Sequence, residues 1–310
     1  MNEWMAVALG LVILLLIYVG ISYIFAQLTL NPKRQPVVHS PSDYGLAYED
    51  IEFNSLDGLS LKGWFIPGDL RKVLLVTHPL FCNRHGFLVK NKSPFMATKT
   101  DIDLLLAMKA LNNAGYSILT FDFRNHGASA GGQTGVGITE YKDVLGAMEY
   151  LQQRQDLNRA ALGLVGFCMG ANSMIVALSR DSRQFTQARC LIAVQPISMS
   201  VFVRSYITSN FSPLGLIILP MINIIRRWLG GFSFVEMSPK KYAKDISIPT
   251  LYAQGKVDPW TNLADIQGFY DSTVAPKDFW WLETKSRPAA YQYVAENPQR
   301  MLEFLKSYMP

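Results

Sequence analysis

A Gly-Phe-Cys-Met-Gly segment at 166–170 places Cys168 between two glycines. The segment follows a short apolar run at 161–165 and precedes a helical stretch near 171–180. Nucleophiles of acyl-transfer enzymes occupy such strand–turn–helix elbows, usually as serine, because glycines let the neighbouring backbone approach closely. A thiol at a helix N-terminus also faces the positive end of the helix dipole, which favours the thiolate. The pattern predicts Cys168 as a nucleophile; the alternative is a small buried cysteine in a tight turn.

The other cysteines suggest neither a metal site nor a disulfide. Cys82, Cys168 and Cys190 show no paired spacing, and the sequence has no histidine cluster. We therefore expect no metal and no cofactor. Three unpaired thiols also agree with a reducing compartment.

Composition excludes several protein classes. The chain has 310 residues, of which 49% are hydrophobic and 17% charged. These values are not those of a disordered chain, a coiled coil or a disulfide-rich miniprotein. The net charge of +5 is spread along the chain without a dense basic block, so we expect no nucleic-acid partner.

The first 30 residues carry most of the surplus apolar content. No charged side chain occurs from Trp4 to Pro32, and an apolar helix of this length spans a hydrocarbon core of ~30 Å. A signal peptide and a buried core helix are the alternatives, but the run is long for the first and lacks the polar face of the second. We predict a single-pass membrane anchor at 1–30. Lys33 and Arg34 follow the span and Glu3 precedes it, which places the rest of the chain on the cytoplasmic side.

Beyond a linker at 31–44, apolar runs typical of buried strands alternate with helical patterns. A hairpin signal, Leu56-Asp57-Gly58, separates the first two strand-like runs. Continuous apolar strands that alternate with helices predict an α/β fold with a mostly parallel sheet, covered by helices on both faces. The strand-like runs are 48–54, 59–66, 73–77, 117–121, 161–165, 191–194, 250–253 and 279–282.

The alternation stops between about 196 and 249. This segment contains a strongly apolar stretch at 214–225, which is too short to span a bilayer. We expect a cap or lid inserted between two strands, and leave open whether it touches lipid or forms a core helix pair.

Four motifs in this order resemble the α/β-hydrolase family. They are Val73–His78, which resembles the strand that enters the oxyanion loop; Phe121–Ser129, which resembles the D-x-R-G-H-G-x-S loop; the elbow at 166–170; and Thr250–Asp258, which resembles the strand that delivers the triad acid. The resemblance covers about residues 45–310. Cysteine replaces serine at the elbow in relatives such as dienelactone hydrolases and bile-acid-CoA amino-acid N-acyltransferases.

The resemblance implies roles for two side chains. Cys168 would be the nucleophile, and Asp258 would orient the general base. For Asp258, a structural role in the turn or helix N-cap before Pro259 stays open.

The resemblance also implies an oxyanion hole built from backbone N–H groups. One would come from Met169 and the other from the loop after His78. Because Pro79 has no N–H, Leu80 or Phe81 would supply the second donor.

The sequence departs from the family at the base. The segment 283–291, where the loop with the triad histidine is expected, contains no histidine, and all four histidines precede Cys168. His85, in the oxyanion loop, is the candidate substitute base, with a loop or surface role as its alternative. His78 and His126 are expected to be structural, and His39 to be solvated.

Two functions remain open at this stage. The first is a membrane-anchored hydrolase or acyltransferase that acts on an ester or thioester, with a small-molecule or lipid-like acyl substrate. The second is a catalytically impaired member of the fold that binds a lipid or a protein partner, because the triad histidine is missing.

Overall fold

The computed structural model describes residues 3–92 and 97–309. Its main sheet has eight strands in the order β1-β2-β6-β3-β7-β8-β9-β10. The strands are β1 (Glu49–Asn54), β2 (Ser60–Ile66), β3 (Asp69–Thr77), β4 (Gly86–Phe87), β5 (Ile102–Asp103), β6 (Tyr116–Phe121), β7 (Ala161–Phe167), β8 (Ala188–Val194), β9 (Thr250–Gly255) and β10 (Lys277–Leu282). The two-residue strands β4 and β5 pair with each other outside the main sheet.

The helices cover the sheet and precede it. They are α1 (Glu3–Leu30), α2 (Leu104–Asn113), α3 (Tyr141–Gln153), α4 (Met169–Arg180), α5 (Met199–Asn210), α6 (Leu219–Trp228), α7 (Leu263–Ser272), α8 (Arg287–Glu296) and α9 (Gln299–Tyr308). The predicted α/β class is confirmed.

Strand direction explains where chemistry can sit. β1 and β2 form an antiparallel hairpin, β2 also pairs antiparallel with β6, and the remaining pairs of the main sheet are parallel. The central strands are buried on both faces, which matches their continuous apolar sequences. Because parallel strands end at one edge of a sheet, the residues that follow β3, β7, β8 and β9 meet there.

The segment after β10 corrects the sequence prediction. A loop was expected at 283–291, but α8 begins at Arg287. Ser286 caps this helix by accepting a hydrogen bond from the Ala289 N–H, and Pro288 lies in its first turn, where a missing N–H costs nothing.

The insertion between β8 and β9 contains α5, α6 and two 3₁₀ turns, Pro213–Ile218 and Pro239–Asp245. We call residues 196–249 the cap. Its side chains pack against the core but also leave large apolar groups exposed, among them Leu214, Ile217 and Trp228.

Helix α1 is 28 residues long, and its most apolar window has a mean hydropathy of 2.7 with 6% of its residues buried. It is therefore long and apolar enough to cross a membrane. Its last turns instead pack on the cap: Ser22 and Ala26 are buried, and the Tyr18 hydroxyl donates to the Ile217 carbonyl at 3.1 Å. The end of α1 is thus in contact with the folded domain.

Candidate active site

Cys168 occupies a strained turn between β7 and α4. Its φ of 49° and ψ of −108° lie where residues with a Cβ are rare. A Cβ on Gly166 would lie 2.5 Å from the Ala171 nitrogen, and one on Gly170 would lie 2.3 Å from Thr77 Oγ1. The two glycines are therefore required for this turn, as the motif suggested.

The Cys168 side chain lines a small cavity. Cys168 is 3% exposed, and a cavity of about 30 Å³ lies beside it. Side chains from the oxyanion loop, the cap and α8 line that cavity, including those of Phe81, Phe202, Arg287 and Tyr291. A reacting carbonyl would therefore contact all three elements.

Arg287 lies in the first turn of α8, in the segment where the family resemblance implies a histidine. Its Nη2 is 2.8 Å from Asp258 Oδ2, and both side chains are 1% exposed. The contact is an ion pair without hydrogen-bond geometry, since Nη2 and Nε have no hydrogen-bond acceptor among the described residues. Asp258 thus faces a cation in place of an imidazole.

Gln195, which follows β8, makes hydrogen bonds with both the guanidinium and the backbone carbonyl of Arg287. Arg287 Nη1 donates to the Gln195 carbonyl at 2.8 Å, and Gln195 Nε2 donates to the Arg287 carbonyl at 3.0 Å. Gln195 has a φ of 51°, an uncommon value that this double contact stabilises. The guanidinium is consequently fixed by hydrogen bonds as well as by charge.

The two carboxylate oxygens of Asp258 make different contacts. Its Oδ1 accepts from the Trp260 N–H at 3.0 Å, as in a turn, while Oδ2 accepts from Gln254 Nε2 at 3.1 Å and faces Arg287. The structural role in the turn is therefore present, and the orientation of a general base by Asp258 stays a prediction.

The Arg287 charge is stabilised despite its burial. Burial alone lowers the pKa of an arginine, but the Asp258 carboxylate, with contributions from Tyr291 and Cys168, raises the pKa of Arg287 above its ordinary value. Arg287 is therefore a permanent cation that lines the same cavity as the thiol.

Tyr291, one turn further along α8, connects Arg287 to Cys168. Arg287 Nη1 donates to the Tyr291 hydroxyl at 2.9 Å, and that hydroxyl is within hydrogen-bonding reach of the Cys168 side chain. Burial raises the pKa of Tyr291 well above its usual range, so the phenol keeps its proton. The hydroxyl can therefore donate to a thiolate.

The three residues assigned to the oxyanion hole lie around the elbow. The N–H groups of Leu80, Phe81 and Met169 have no acceptor in the described parts of the chain. Phe81 has a φ of 65°. It lies in a turn in which the Cys82 N–H donates to the Pro79 carbonyl at 3.2 Å. Their assignment to an oxyanion remains a prediction.

Buried charges fix the oxyanion loop to the sheet. Asp122 accepts from the Arg84 N–H and from Arg84 Nη1, both at 2.7 Å, and from the Ala128 N–H at 2.8 Å. The D-x-R-N-H-G-x-S segment at 122–129 thus fixes the position of the loop that carries Leu80 and Phe81.

His85, the candidate substitute base, is oriented toward the linker. Its Nε2 lies 3.3 Å from the Pro36 carbonyl, and its ring packs edge-on against His39 at 5.5 Å. Neither contact directs the ring to Cys168, and the residues that line the small cavity do not include it. The structure does not bring His85 together with the thiol.

Two other histidines are structural, as expected. His78 Nε2 accepts from the Phe123 N–H at 3.0 Å, so its proton is on Nδ1, which donates to the Pro79 carbonyl at 2.8 Å. His126 Nδ1 donates to the Arg124 carbonyl at 2.9 Å. Both rings are buried, which lowers their pKa values.

A larger cavity of about 340 Å³ adjoins the small one. The two share Leu80, Phe81, Phe202 and Trp260. The remaining walls come mostly from the cap and from the end of α1, which contributes Phe25 and Leu28. Val136 and the linker residues Pro32, Lys33 and Gln35 complete the lining. An apolar chamber therefore extends from the thiol to the N-terminal helix.

Sequence reasoning named Cys168 and Asp258 as candidate site residues but did not name Arg287, Tyr291 or Gln195. The Ser286-Arg287-Pro288 sequence is a helix-start signal, a capping serine before an early proline, and it could have placed Arg287 on α8. No local pattern marked the contacts of Tyr291 or Gln195.

No family model matches the chain. It is 23% identical to the uncharacterized protein YqkD of Bacillus subtilis over 314 residues, which are 97% of this chain and 92% of that protein. It is 29% identical to polyketide transferase grgF of Penicillium over 154 residues, 49% of this chain and 46% of the relative. It is also 29% identical to thiohydrolase aneE of Aspergillus aculeatus over 157 residues, 50% of this chain and 43% of the relative.

Solved structures resemble the whole domain. The Pyrococcus furiosus esterase Pf2001 superposes with a TM-score of 0.68 and 23% identity, covering 91% of this chain and 100% of the esterase. The α/β hydrolase GrgF of Penicillium gives a TM-score of 0.59 and 20% identity, covering 85% and 99%. The chain therefore has the α/β-hydrolase fold.

Proposed function

We propose that this protein is a membrane-anchored enzyme that acts on ester or thioester bonds through Cys168. The observation that carries the proposal is the strained elbow, which holds the thiol against the ion pair of Arg287 and Asp258. Esterase and thiohydrolase relatives support acyl chemistry in general. Membership of the dienelactone-hydrolase subtype stays a prediction, because the segment 283–291 contains no histidine that could act as the base.

In the proposed reaction the Cys168 thiolate attacks the carbonyl carbon of the substrate. The N–H of Met169 and that of Leu80 or Phe81 would stabilise the oxygen of the tetrahedral intermediate. The positive charge of Arg287 and the hydroxyl of Tyr291 would stabilise the thiolate before attack and when it leaves again.

We propose a lipid-like acyl chain as the part of the substrate that fills the large cavity. The volume of about 340 Å³ lies within the range of small-molecule sites, and its walls are mostly apolar side chains. Its junction with the Cys168 cavity would leave the carbonyl at the thiol and the chain between the cap and α1.

The exposed surface beside this chamber supports a position at a membrane. From Trp4 to Ile24 most large side chains of α1 are apolar and exposed, and the nearby cap exposes Leu214, Ile217 and Trp228. Burial of such groups in lipid is favourable. With Lys33 and Arg34 at the end of the span, we propose that the domain faces the cytoplasm. A reporter fused after Pro310 should then be active only in its cytoplasmic form.

One observation favours the alternative of a binding protein without catalysis. Arg287 occupies the position of the general base, and a cation cannot take a proton from water. In that case the chamber would hold a lipid or a protein's apolar segment without reaction.

The deciding experiment incubates the detergent-solubilised full chain with octanoyl and palmitoyl thioesters of N-acetylcysteamine and measures intact mass. We expect one acyl adduct on Cys168, absent from Cys168→Ala. Cys190→Ala is the matched control, because burial raises the pKa of Cys190 to about 12 and it lies away from the elbow in β8. Tight retention of a lipid with no adduct would instead support the binding protein.

A further inference from the structure

We propose that the acyl group on Cys168 is passed to a thiol acceptor and not to water, because Arg287 replaces the general base. This inference rests on the proposed function, since it concerns the fate of the acyl-cysteine formed there. The protein would then be an acyltransferase between thiols, with a thioester as substrate and another thioester as product.

Hydrolysis needs a group that removes a proton from water. Arg287 faces Asp258 at 2.8 Å and lines the Cys168 cavity. It therefore lies where a general base would lie, but it cannot accept a proton. A guanidinium in this environment stays protonated. The base of a hydrolase usually contributes ~10²–10⁴-fold to this step.

The other polar residues that line the cavity do not replace it. Burial keeps both the Tyr291 phenol and the Cys82 thiol protonated. His85 does not line this cavity, and its Nε2 lies 3.3 Å from the Pro36 carbonyl. A water molecule beside the acyl-cysteine therefore has no basic partner among the described residues that line this space.

A thiol acceptor does not need that partner. Free thiols have a pKa near ~8.5, so a useful fraction is ionised at neutral pH, and thiolates are strong nucleophiles. The acceptor brings its own negative charge to a site that contains a cation.

The complete cycle balances without a proton shuttle. The Cys168 thiolate forms a bond with the carbonyl carbon, and the bond to the departing sulfur breaks with its electron pair, releasing a thiolate. The acceptor thiolate then attacks the same carbon, and Cys168 leaves as a thiolate. No oxidant or reductant takes part.

Arg287 has the geometry to stabilise the sulfur anion that appears at each end of this cycle. Its Nε and Nη2 lack hydrogen-bond acceptors although the side chain is 1% exposed. Its Nη1 donates to Tyr291, whose hydroxyl reaches Cys168. A catalytic imidazole can both give and take a proton; Arg287 and Tyr291 can donate hydrogen bonds to a sulfur anion, but neither is a base that takes a proton from water.

The test follows the lifetime of octanoyl-Cys168 on the full chain in detergent. Octanoyl-N-acetylcysteamine forms the adduct, excess reagent is removed, and intact mass is recorded with and without a second thiol, such as 2-mercaptoethanol. We expect loss of the adduct to be at least about 10²-fold faster with the thiol, with recovery of the new thioester. Equal rates, with free octanoate as product, would overturn the inference.

Two variants separate the base from the charge. Arg287→His places an imidazole next to Asp258, and we expect hydrolysis of its acyl-cysteine to accelerate about 10²-fold. Arg287→Gln removes the charge without adding a base, and should not accelerate hydrolysis. If Arg287→His and Arg287→Gln hydrolyse alike, Arg287 does not stand in the place of the base and the inference is wrong.

Different outcomes reject the thiol acceptor and the Cys168 nucleophile. An adduct that water removes rapidly rejects the thiol acceptor but keeps Cys168 as a nucleophile. Absence of any adduct rejects the nucleophile itself. If a variant does not fold, the comparison of water and thiol on the natural chain still decides.

Discussion

Two arginines, Arg226 in the cap and Arg287 in the candidate site, are almost fully buried, at 0% and 1% exposed, but their surroundings differ. Arg287 faces the Asp258 carboxylate, which raises its pKa. Arg226 donates to neutral groups, namely Thr29 Oγ1 at 2.6 Å and the Phe232 carbonyl at 2.8 Å. Burial lowers the pKa of Arg226 to about 10, and the buried Glu140 carboxylate offsets only part of this effect.

The two charges are compensated to different degrees. The Asp258 carboxylate keeps Arg287 charged, and the proposed role of this charge is to act on the neighbouring sulfur. Arg226 ties the cap to the last turn of α1, and its neutral acceptors only partly offset the loss of hydration. Removal of each charge should therefore have a different cost.

The largest effect is expected for Asp258→Asn, which leaves Arg287 buried without a countercharge. Loss of one partner of a buried pair costs about 3–5 kcal/mol in the free energy of unfolding. Urea denaturation of the full chain in detergent, followed by tryptophan fluorescence, measures it.

The control is the double variant Asp258→Asn, Arg287→Met, which removes both charges. We expect it to recover much of the lost stability. A single variant as stable as the natural chain would mean that Arg287 gains little from the carboxylate, and would remove the contrast with Arg226.

His126 is a third buried basic side chain, and its ring is buried in the neutral form. Burial lowers its pKa from 6.5 to about 4. Between these values the unfolded chain binds a proton that the folded chain does not, so the stability contributed by the neutral ring is complete above pH 6.5 and is lost as the pH falls toward 4. At 1.36 kcal/mol per pKa unit the loss is about 3 kcal/mol.

Unfolding free energies of the natural chain and of His126→Gln, measured from pH 7.5 to 4, test this. The difference between them should shrink by about 3 kcal/mol as the pH falls. A constant difference for His126→Gln would show that the ring is not held neutral.

Arg226→Met should change the free energy of unfolding by only about 1 kcal/mol, in either direction. The variant keeps much of the side-chain volume and removes a charge whose hydrogen-bond partners are neutral. The Glu140 carboxylate, which raises the pKa of Arg226, keeps its own hydrogen bonds from the Gly135 and Gly137 N–H groups. Arg287→Met, measured alongside it, should cost about 3–5 kcal/mol because Asp258 stays buried and unpaired. Equal costs for the two variants would contradict the distinction between them.

The smallest effect belongs to Thr29→Val, which removes the hydroxyl that accepts from Arg226. We expect a loss of about 1 kcal/mol and faster hydrogen exchange in the last turn of α1. Thr29→Ser keeps the acceptor and should behave like the natural chain. Unchanged exchange in Thr29→Val would show that other contacts hold the helix end.

The sequence was most informative where structure is local. The elbow depends on Gly166 and Gly170, which stand within two residues of Cys168, and the strands depend on short apolar runs. Arg287 was missed because its role arises only when the ends of β8, β9 and α8 converge, and Gln195 and Asp258 lie 92 and 29 residues away from it. Its helix-start signal, Ser286 before Pro288, was readable but carried no chemistry.

The junction of α1 with the cap was hidden for a different reason. A uniformly apolar helix shows no face, so nothing in its pattern separates the turns that meet lipid from those that meet protein. Ser22, Ala26 and Leu30 are the buried residues of α1, and the small size of the first two allows close helix packing. Only the three-dimensional contacts with α6 reveal them.

The attachment of α1 to the cap has a mechanical consequence if the helix spans a bilayer. Phe25 and Leu28 form part of the wall of the large cavity. Tyr18 and Thr29, in the same half of the helix, form hydrogen bonds with the cap. A bilayer thicker or thinner than the apolar stretch pulls the helix along its axis or tilts it. That displacement would reach the cavity wall directly, so the thickness of the host membrane would set the width of the chamber.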